Sequence, residues 1–200
     1  MKFVIAEQEE IDTALSHLLK KKYGLHQAVV LAGPDLPAAA ITQRLGTLGA
    51  AVVEELLAPG MSVGVASGRV LSALADALTR LPMLDVVQAT GAQPGMDFAH
   101  NSIELVHRIA NISGGKAHPI YIPMWVDNVE TARNLLREPN VAAVHERYNH
   151  LDALITGIGS WDPPPSRACL KPFPTSGAGR PWPRASAPIS VPPSWTSAVG

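Results

Sequence analysis

Short apolar runs alternate with amphipathic stretches along most of residues 27–160, and this alternation is the strongest constraint on the fold. Apolar runs of this length, bounded by Gly and Pro, are typical of buried strands. The stretches between them repeat their apolar residues every three or four positions, as helices that bury one face do. Such alternation predicts an α/β fold, a mainly parallel sheet flanked by helices on both faces. The predicted strands are residues 27–32, 63–65, 84–89, 119–125 and 151–156.

Helices are predicted between these strands and before the first of them. Residues 7–23 form the first helix, which ends in three lysines where the helix dipole favours cations. Residues 38–57 form a long buried helix, in which Gly46 and Gly49 let another element approach closely. The remaining helices are predicted to begin near Gly68, Asn101, Asp127 and Asn140. The inward residues of the first helix are predicted to be Ile11, Leu15, Leu18 and Leu19.

Residues 61–78 combine a short strand, a tight turn and an amphipathic helix. Ser67 stands where an N-cap is expected, which leaves the amides of Gly68, Arg69 and Val70 without partners in the first turn. Free amides, the positive end of the helix dipole and the Arg69 guanidinium together favour an anion such as phosphate. The alternative is that Ser67 and Gly68 serve only the geometry of the turn.

Small polar residues follow several of the predicted strands. In parallel sheets flanked by helices, ligands sit beyond the carboxyl ends of the strands. Here these ends are Ser67-Gly68, Thr90-Gly91 and Gly159-Ser160, which can converge at one edge of the sheet. The sequence therefore places a candidate ligand site at this edge.

Composition excludes several classes of protein. The formal net charge of −1 gives no general affinity for nucleic acid or for an anionic membrane. The single cysteine, Cys169, excludes an internal disulfide framework and fits a reducing compartment. No apolar run is long enough to cross a membrane, and the acidic N-terminus does not resemble a signal peptide. A cytoplasmic protein is predicted.

Residues 163–200 differ sharply from the rest of the chain. They hold ten prolines and no acidic residue, and no helical or strand period persists through them. We predict a folded, incomplete domain over residues 1–162 and a disordered, dispensable tail over residues 163–200. A shifted reading frame is one origin for a tail of this composition.

Signatures of catalysis and of metal binding are weak. His145 and His150 are five residues apart, about 140° round a helix, so they cannot share a metal as an i, i+4 pair does. Ser67 does not lie in a nucleophile elbow, and no P-loop or dinucleotide fingerprint is present. No catalytic residue, metal site or cofactor is predicted.

Five segments in a fixed order resemble the effector-binding domain of the SorC family of bacterial transcriptional regulators. They are VGVASGRVLSALADAL, VVQATGA, HNSIELVHRIANISGGKAHPIYIP, DNVETARNLL and LDALITGIGSWDPP, and the likeness covers roughly residues 3–165. The resemblance implies a fold related to sugar-phosphate isomerases and glucosamine-phosphate deaminases, used for sensing. It also implies a sugar or sugar-phosphate effector and a homo-oligomer whose affinity for DNA responds to that effector.

The resemblance also implies the ligand-binding residues, position by position. The turn before the third helix falls on the family's Gly-Arg-Thr loop, which is similar to a phosphate cradle, although Val70 stands where the family usually has Thr. Thr90 and Gly91 fall on the family's second ligand loop, and Asn101 falls on the start of the helix that follows it. Gly157, Gly159 and Ser160 match a Gly-Ile-Gly strand end. The implied ligand residues are Ser67, Gly68, Arg69, Thr90, Gly91, Asn101, Gly157, Gly159 and Ser160.

The resemblance further implies segments that this sequence does not show. A family member carries a helix-turn-helix domain before the effector domain and continues well past residue 165. The chain is thus expected to be truncated at both ends, and to reach DNA only through a helix-turn-helix domain that it lacks.

Two functions remain open from the sequence. The first is a sugar-effector module of a transcriptional regulator, and the alternative is a sugar-phosphate isomerase or deaminase on a related fold. An enzyme of that kind needs a carboxylate or histidine base at a strand end. The ligand loops offer Ser, Thr, Gly and Arg, with Asp97 and Asp162 as the only nearby acids, which favours binding.

Overall fold

A four-stranded parallel sheet lies at the centre of the molecule. The computed structural model describes residues 11–33, 37–92 and 101–158, together with the backbone of residues 187–188. Within the sheet the strand order is β3-β2-β1-β5, and every neighbouring pair is parallel, which confirms the predicted α/β class. The strands are β1 (Ser62–Val65), β2 (Asp85–Gln88), β3 (Lys116–His118) and β5 (Ala153–Ile155).

Two further short strands pair outside this sheet. β4 (Trp125–Val126) is antiparallel to β6 (Ala187–Pro188). Apart from this backbone pairing, the tail lies outside the described residues. The division into a domain over residues 1–162 and a disordered tail stays a prediction.

Helices cover both faces of the sheet, and each face has its own hydrophobic cluster. α2, α3 and α4 cover the face that presents Val63, Val65 and Val86. α5 and α6 cover the face that presents Val87. The helices are α1 (Thr13–Tyr23), α2 (Ala38–Leu56), α3 (Arg69–Ala77), α4 (Ser102–Ser113), α5 (Val129–Arg137) and α6 (Pro139–Arg147), followed by a 3₁₀ turn (Tyr148–His150).

Glycines allow the backbones of the central elements to touch, as predicted for α2. A Cβ on Gly46 would lie 2.6 Å from the Cβ of Ala73 in α3, and one on Gly49 would lie 3.0 Å from Leu74 Cδ1. Gly115, just before β3, leaves no room for a Cβ against the carbonyl oxygen of Leu84. Gly46 and Gly49 thus allow α2 to pack closely on α3. Gly115 allows the turn after α4 to pack against the residue before β2.

The N-terminal unit differs from its prediction. Residues 27–32 are not a strand of the sheet, since their only ladder contact among the described residues is one antiparallel bridge between Ile11 and Leu31. α1 begins after Asp12, whose carboxylate accepts from the Leu15 amide, and no residue of the helix is buried. Leu15 and Leu18 are exposed, so the prediction that they point inward is wrong, whereas Ile11 and Leu19 are half-buried. Periodicity predicted the helix correctly, but it cannot show whether another element covers the apolar face.

The predicted strand over residues 119–125 is also wrong. β3 ends at His118, and within residues 119–124 the described ladder contact is a single bridge between Pro123 and Ala92; the next strand, β4, begins at Trp125. Pro119 and Pro123 have no N–H to donate to a ladder, which is why the apolar run does not continue the strand. The Ile120 amide instead donates to the Gln88 side chain at 3.0 Å.

Two helix starts move by one or two residues from their predicted positions. Asn128, and not Asp127, caps α5, and its side chain accepts from the Thr131 amide at 2.7 Å. α6 begins at Pro139 after Glu138, and not after Asn140, because the fixed φ of proline suits the first helical position. Within the described residues, no helix is long and apolar enough to cross a membrane.

Candidate ligand site at the carboxyl edge of the sheet

The turn between β1 and α3 is an uncapped helix start. Gly68 is the N-cap residue, with extended backbone (φ 164°, ψ 154°) and no side-chain cap, so the prediction that Ser67 caps this helix is wrong. The Gly68 carbonyl accepts from the Ser72 amide at 2.9 Å and from the Ser72 hydroxyl at 3.2 Å. The amides of Arg69, Val70 and Leu71 open the helix and have no intrahelical acceptor. Three donors therefore point out of the positive end of α3.

Arg69 stands at this turn with an exposed side chain. Among the described residues no carboxylate lies within ion-pair distance of it. The carboxylate of Asp76, also on α3, is already paired, because Asp76 Oδ1 is 2.8 Å from Arg108 Nη1 of α4. Arg108 also donates to the Ser72 carbonyl at 2.9 Å, so it links α4 to α3.

Thr90 follows β2, next to the turn after β1. The Ala89 amide donates to the Val65 carbonyl at 2.9 Å, so the residues after each strand run side by side. The Thr90 hydroxyl is buried, and it has no hydrogen-bond partner among the residues that the structure describes. A buried hydroxyl without a partner is unfavourable, since it loses its bonds to water and gains none in return.

A buried polar network fixes the backbone around Thr90, and sequence reasoning missed it. Gln88 is fully buried, and its Nε2 donates to the Thr90 carbonyl at 2.7 Å and to the Ser102 hydroxyl at 2.8 Å. Tyr148, 1% exposed, donates its hydroxyl to the Gln88 carbonyl at 2.8 Å. Burial raises the pKa of Tyr148, which keeps this donor protonated. The only signal in the sequence was a polar residue, Gln88, inside an apolar run.

Gly91 and Asn101 have structural roles at this edge. A Cβ on Gly91 would lie 2.6 Å from the Pro123 carbonyl oxygen, so Gly91 is needed for close packing there. Asn101 caps α4, as predicted, by accepting from the Ile103 amide at 3.2 Å. Glu104 lies in the first turn of α4, and its buried Oε2 has no hydrogen-bond partner among the described residues.

Gly157, after β5, lies next to the turn at the start of α3. A Cβ on Gly157 would be 3.5 Å from Leu71 Cδ1, and one on Gly68 would be 3.7 Å from the same atom. The structure thus brings the ends of β1, β2 and β5 together at one edge. The predicted ligand residues Gly159 and Ser160 lie outside the described residues, as do Asp97 and Asp162.

Other kinds of site receive no support in the described part of the chain. No three His, Cys, Asp or Glu side chains there are arranged to hold a metal ion. An open cleft of about 530 Å³ lies between α1 and the segment after it, and none of the predicted ligand residues lines it.

Comparison with known proteins identifies the family. Residues 8–171 match the family model described as "Putative sugar-binding domain". The chain belongs to this family. The predicted resemblance to SorC regulators is confirmed, because a sorbitol operon regulator and a solved structure of SorC are among the matches.

Two curated relatives are regulators of transcription. The sorbitol operon regulator of Klebsiella pneumoniae is 25% identical over 153 residues, which cover 73% of this chain and 48% of the relative. The deoxyribonucleoside regulator of Bacillus subtilis is 25% identical over 154 residues, 76% of this chain and 49% of the relative. The chain therefore spans about half the length of the curated relatives it matches.

Solved structures of regulators share the fold of this sugar-binding domain. A probable sor operon regulator from Shigella flexneri superposes with a TM-score of 0.71 at 27% identity, covering 74% of this chain and 62% of that one. The full-length sorbitol operon regulator SorC from Klebsiella pneumoniae gives a TM-score of 0.71 at 25% identity, covering 80% and 53% of the two chains.

Proposed function

We propose that this sugar-binding domain holds a sugar or sugar-phosphate effector at the carboxyl edge of its sheet. Ser67, Gly68, Arg69 and Thr90 provide the principal contacts, and Gly157 borders the site. Gly91, Asn101, Gly159 and Ser160 complete the predicted set of ligand residues. The observation that carries the proposal is the buried Thr90 hydroxyl, which has no partner in the described part of the chain and lies near an uncapped helix start.

The donors at this edge match the chemistry of such an effector. A phosphate group carries acceptor oxygens and negative charge, which suit the first-turn amides of α3 and the Arg69 guanidinium. A sugar hydroxyl both donates and accepts, so it can satisfy the Thr90 hydroxyl in either direction. Since Val70 has no hydroxyl, the amides and Arg69 supply the phosphate contacts of this turn.

We infer that the site senses its ligand and does not convert it. The described side chains around the start of α3 include Ser67, Arg69 and Thr90, and none of these three is a carboxylate or an imidazole that could act as a base. The histidine that ends β3, His118, lies 3.3 Å from the Asp85 carboxylate, at the start of β2. The matched relatives are named regulators, which supports sensing over an isomerase or deaminase. Incubation with a panel of sugar phosphates should give no product, and any genuine turnover would contradict this inference.

We also propose a role within a cytoplasmic, homo-oligomeric regulator. The net charge of −1 gives this chain no general attraction to DNA, so we expect operator contacts to come from a separate helix-turn-helix domain. The purified chain should not retard an operator fragment in a gel. Sequence-specific retardation would show that this chain itself contains a DNA-binding surface.

A thermal-shift screen tests the proposed ligand class. A ligand that binds only the native state raises the apparent melting temperature. We expect at least one sugar or sugar phosphate to raise it in wild type and in Arg133→Ala, a control in which an exposed arginine of α5 is removed. A screen that includes common sugars and their phosphates and finds no shift would count against the proposal.

A further inference from the structure

Glu104 carries a buried carboxylate oxygen for which the described part of the chain supplies no donor. The side chain lies in the first turn of α4 and is half-buried, and its Oε2 is buried without a hydrogen-bond partner among the described residues. Burial of a carboxylate oxygen without a donor is unfavourable, because the bonds that it makes to water are lost. Since a carboxylate only accepts, the group that satisfies Oε2 must be a donor.

The cation one turn further along α4, Arg108, is engaged elsewhere. Its Nη1 is 2.8 Å from the Asp76 carboxylate, and its Nη2 donates to the Ser72 carbonyl at 2.9 Å. None of the ion pairs among the described residues includes Glu104. Both partners of Arg108 belong to α3, so the side of α4 that carries Glu104 and Arg108, four residues apart, is turned towards α3.

This orientation places Glu104 beside the start of α3. α3 follows β1 and α4 follows β2, and these two strands are parallel, so both helices begin at the carboxyl edge of the sheet. Arg108 contacts α3 at Ser72 and Asp76. Glu104 is one turn nearer the edge and therefore lies next to the first turn of α3, which begins after Gly68. Helical side chains lean towards the N-terminus of their helix, so the Glu104 carboxylate leans towards this edge.

Two buried oxygens without partners in the described part of the chain thus lie near the start of α3. The Thr90 hydroxyl follows β2, and Glu104 Oε2 belongs to the first turn of α4. Gln88 connects their backbones, because its Nε2 donates both to the Thr90 carbonyl and to the hydroxyl of Ser102, two residues before Glu104. The backbone at both positions is therefore fixed before a ligand arrives, which lowers the entropy cost of binding.

We propose that Glu104 accepts hydrogen bonds from hydroxyls of the effector and sets its orientation, an inference that rests on the proposed function of this edge. A carboxylate accepts from two neighbouring hydroxyls at once, one on each oxygen. It repels a phosphate, so the phosphate of a sugar phosphate lies at Arg69 and the carbons that carry hydroxyls extend towards α4. Glu104 thereby selects a ligand with free hydroxyls at that end and rejects one with a carboxylate there.

Urea denaturation without a ligand separates this role from a structural one. Glu104→Gln keeps the shape of the side chain and removes the charge that lacks a donor. The control is Glu130→Gln, which removes an exposed carboxylate from the first turn of α5 and so corrects for the lost contact with the helix dipole. Glu104→Gln should be at least as stable as Glu130→Gln. A clear loss of stability relative to the control would show that Glu104 supports the fold, which overturns the proposal.

Calorimetric titration of the whole chain tests the contact itself. The probes are glucose, fructose and ribose, each with its terminal phosphate ester, and the monodeoxy derivatives of the probe that binds most tightly. Glu104→Gln should weaken the free sugar and its ester by the same factor, about fivefold or more, because the contact is to hydroxyls. Removal of one particular hydroxyl should weaken binding to wild type and hardly affect binding to Glu104→Gln. Glu130→Gln should bind every probe as wild type does.

The outcomes distinguish this inference from the function on which it rests. If wild type binds a probe and Glu104→Gln binds it equally well, the contact is overturned and the sugar site stands. If wild type binds none of the probes, the proposed function is contradicted and the contact falls with it. If a probe is converted by wild type and not by Glu104→Gln, Glu104 acts as a base, which overturns both its positioning role and the sensing function.

Discussion

Gly46 of α2 lies directly against Ala73 of α3, so close that a Cβ on Gly46 would fall 2.6 Å from both the carbonyl carbon and the Cβ of Ala73. The contact involves backbone on both sides and cannot be relieved by a change of rotamer. It presses α2 onto α3, the helix whose start forms the candidate ligand site.

The substitution Gly46→Ala should therefore destabilise the fold by about 3 kcal/mol, the upper end of the range for overpacking. The matched control is Gly49→Ala, where the added Cβ meets only the flexible end of Leu74 at 3.0 Å. Its small clash is offset by the better helix propensity of Ala, about 1 kcal/mol. Chemical denaturation measures the free energy of unfolding of both variants. Equal losses of stability in the two variants would contradict the account of helix packing.

Tyr148→Phe should destabilise the fold by about 1–1.5 kcal/mol at neutral pH, because it removes a buried hydrogen bond to the Gln88 carbonyl. Urea denaturation measures the change. A loss near zero would show that this bond does not hold the strand end in place.

The same variant should alter the alkaline limb of the stability profile. Burial raises the pKa of Tyr148 above its ordinary value of 10.0. Its stabilising effect is therefore complete below pH 10 and is lost as the pH rises above that value, since the unfolded chain ionises first. Wild type should lose stability in this range more steeply than Tyr148→Phe. Parallel alkaline limbs would exclude a contribution from this hydroxyl.

Glu54 makes a contact that should show in acid. Its carboxylate accepts from the Thr79 amide at 2.7 Å, the Thr79 hydroxyl at 2.9 Å and the Arg80 amide at 3.1 Å. Partial burial acts to raise the pKa of Glu54, but these bonds, with the charge of Arg80, outweigh it and hold the pKa below its ordinary value of 4.5. The contact thus stabilises the fold above that pH, and this stabilisation is lost as the pH falls through the lowered pKa.

The variant Glu54→Gln should therefore lose about 0.5–1 kcal/mol at pH 7, a modest amount because solvent screens the carboxylate. The difference from wild type should shrink towards pH 3. The neighbouring Glu55→Gln serves as the control and should match wild type at both pH values. A Glu54→Gln difference that stays constant from pH 7 to pH 3 would contradict the assigned role.

The regular parts of the fold were predictable because local periodicity determines them. The long helix α2, with its small residues at Gly46 and Gly49, was predicted nearly to its ends. The short apolar runs of β1, β2 and β5 indicated buried strands, because helices cover both faces of a parallel sheet and its strands are therefore apolar throughout. The alternation of strands and helices then required a parallel sheet.

The errors fall where distant parts of the chain decide the outcome. Residues 27–32 have the composition of a strand, but within the described residues they form one bridge, to Ile11, because a strand needs a partner that its own sequence does not specify. At the start of α3, a shift of one residue moves the N-cap from Ser67 to Gly68 and leaves the helix end without a side-chain cap. The bonds among Gln88, Ser102 and Tyr148 join residues far apart in the chain, so no local pattern could reveal them.

Thr90→Val tests the unpartnered hydroxyl at the candidate site. Valine keeps the shape of threonine and removes the buried polar atom that lacks a partner, so stability should be unchanged or slightly higher. Affinity for the effector should fall by about 2- to 10-fold, the value of one neutral hydrogen bond. Thr131→Val, on the exposed surface of α5, is the control. Calorimetric titration that finds equal affinity in all three proteins would remove Thr90 from the site.

The most direct test of the account is a calorimetric titration of wild type and Arg69→Ala with a sugar that binds and with its phosphate ester. We expect Arg69→Ala to weaken the phosphate ester by about 1.5–3 kcal/mol, the range for a hydrogen bond to a charged group, and to leave the free sugar nearly unchanged. Arg133→Ala should bind both ligands as wild type does. Equal small losses for the two ligands, or a phosphate ester that Arg69→Ala binds as tightly as wild type does, would contradict a sugar-phosphate site at the start of α3.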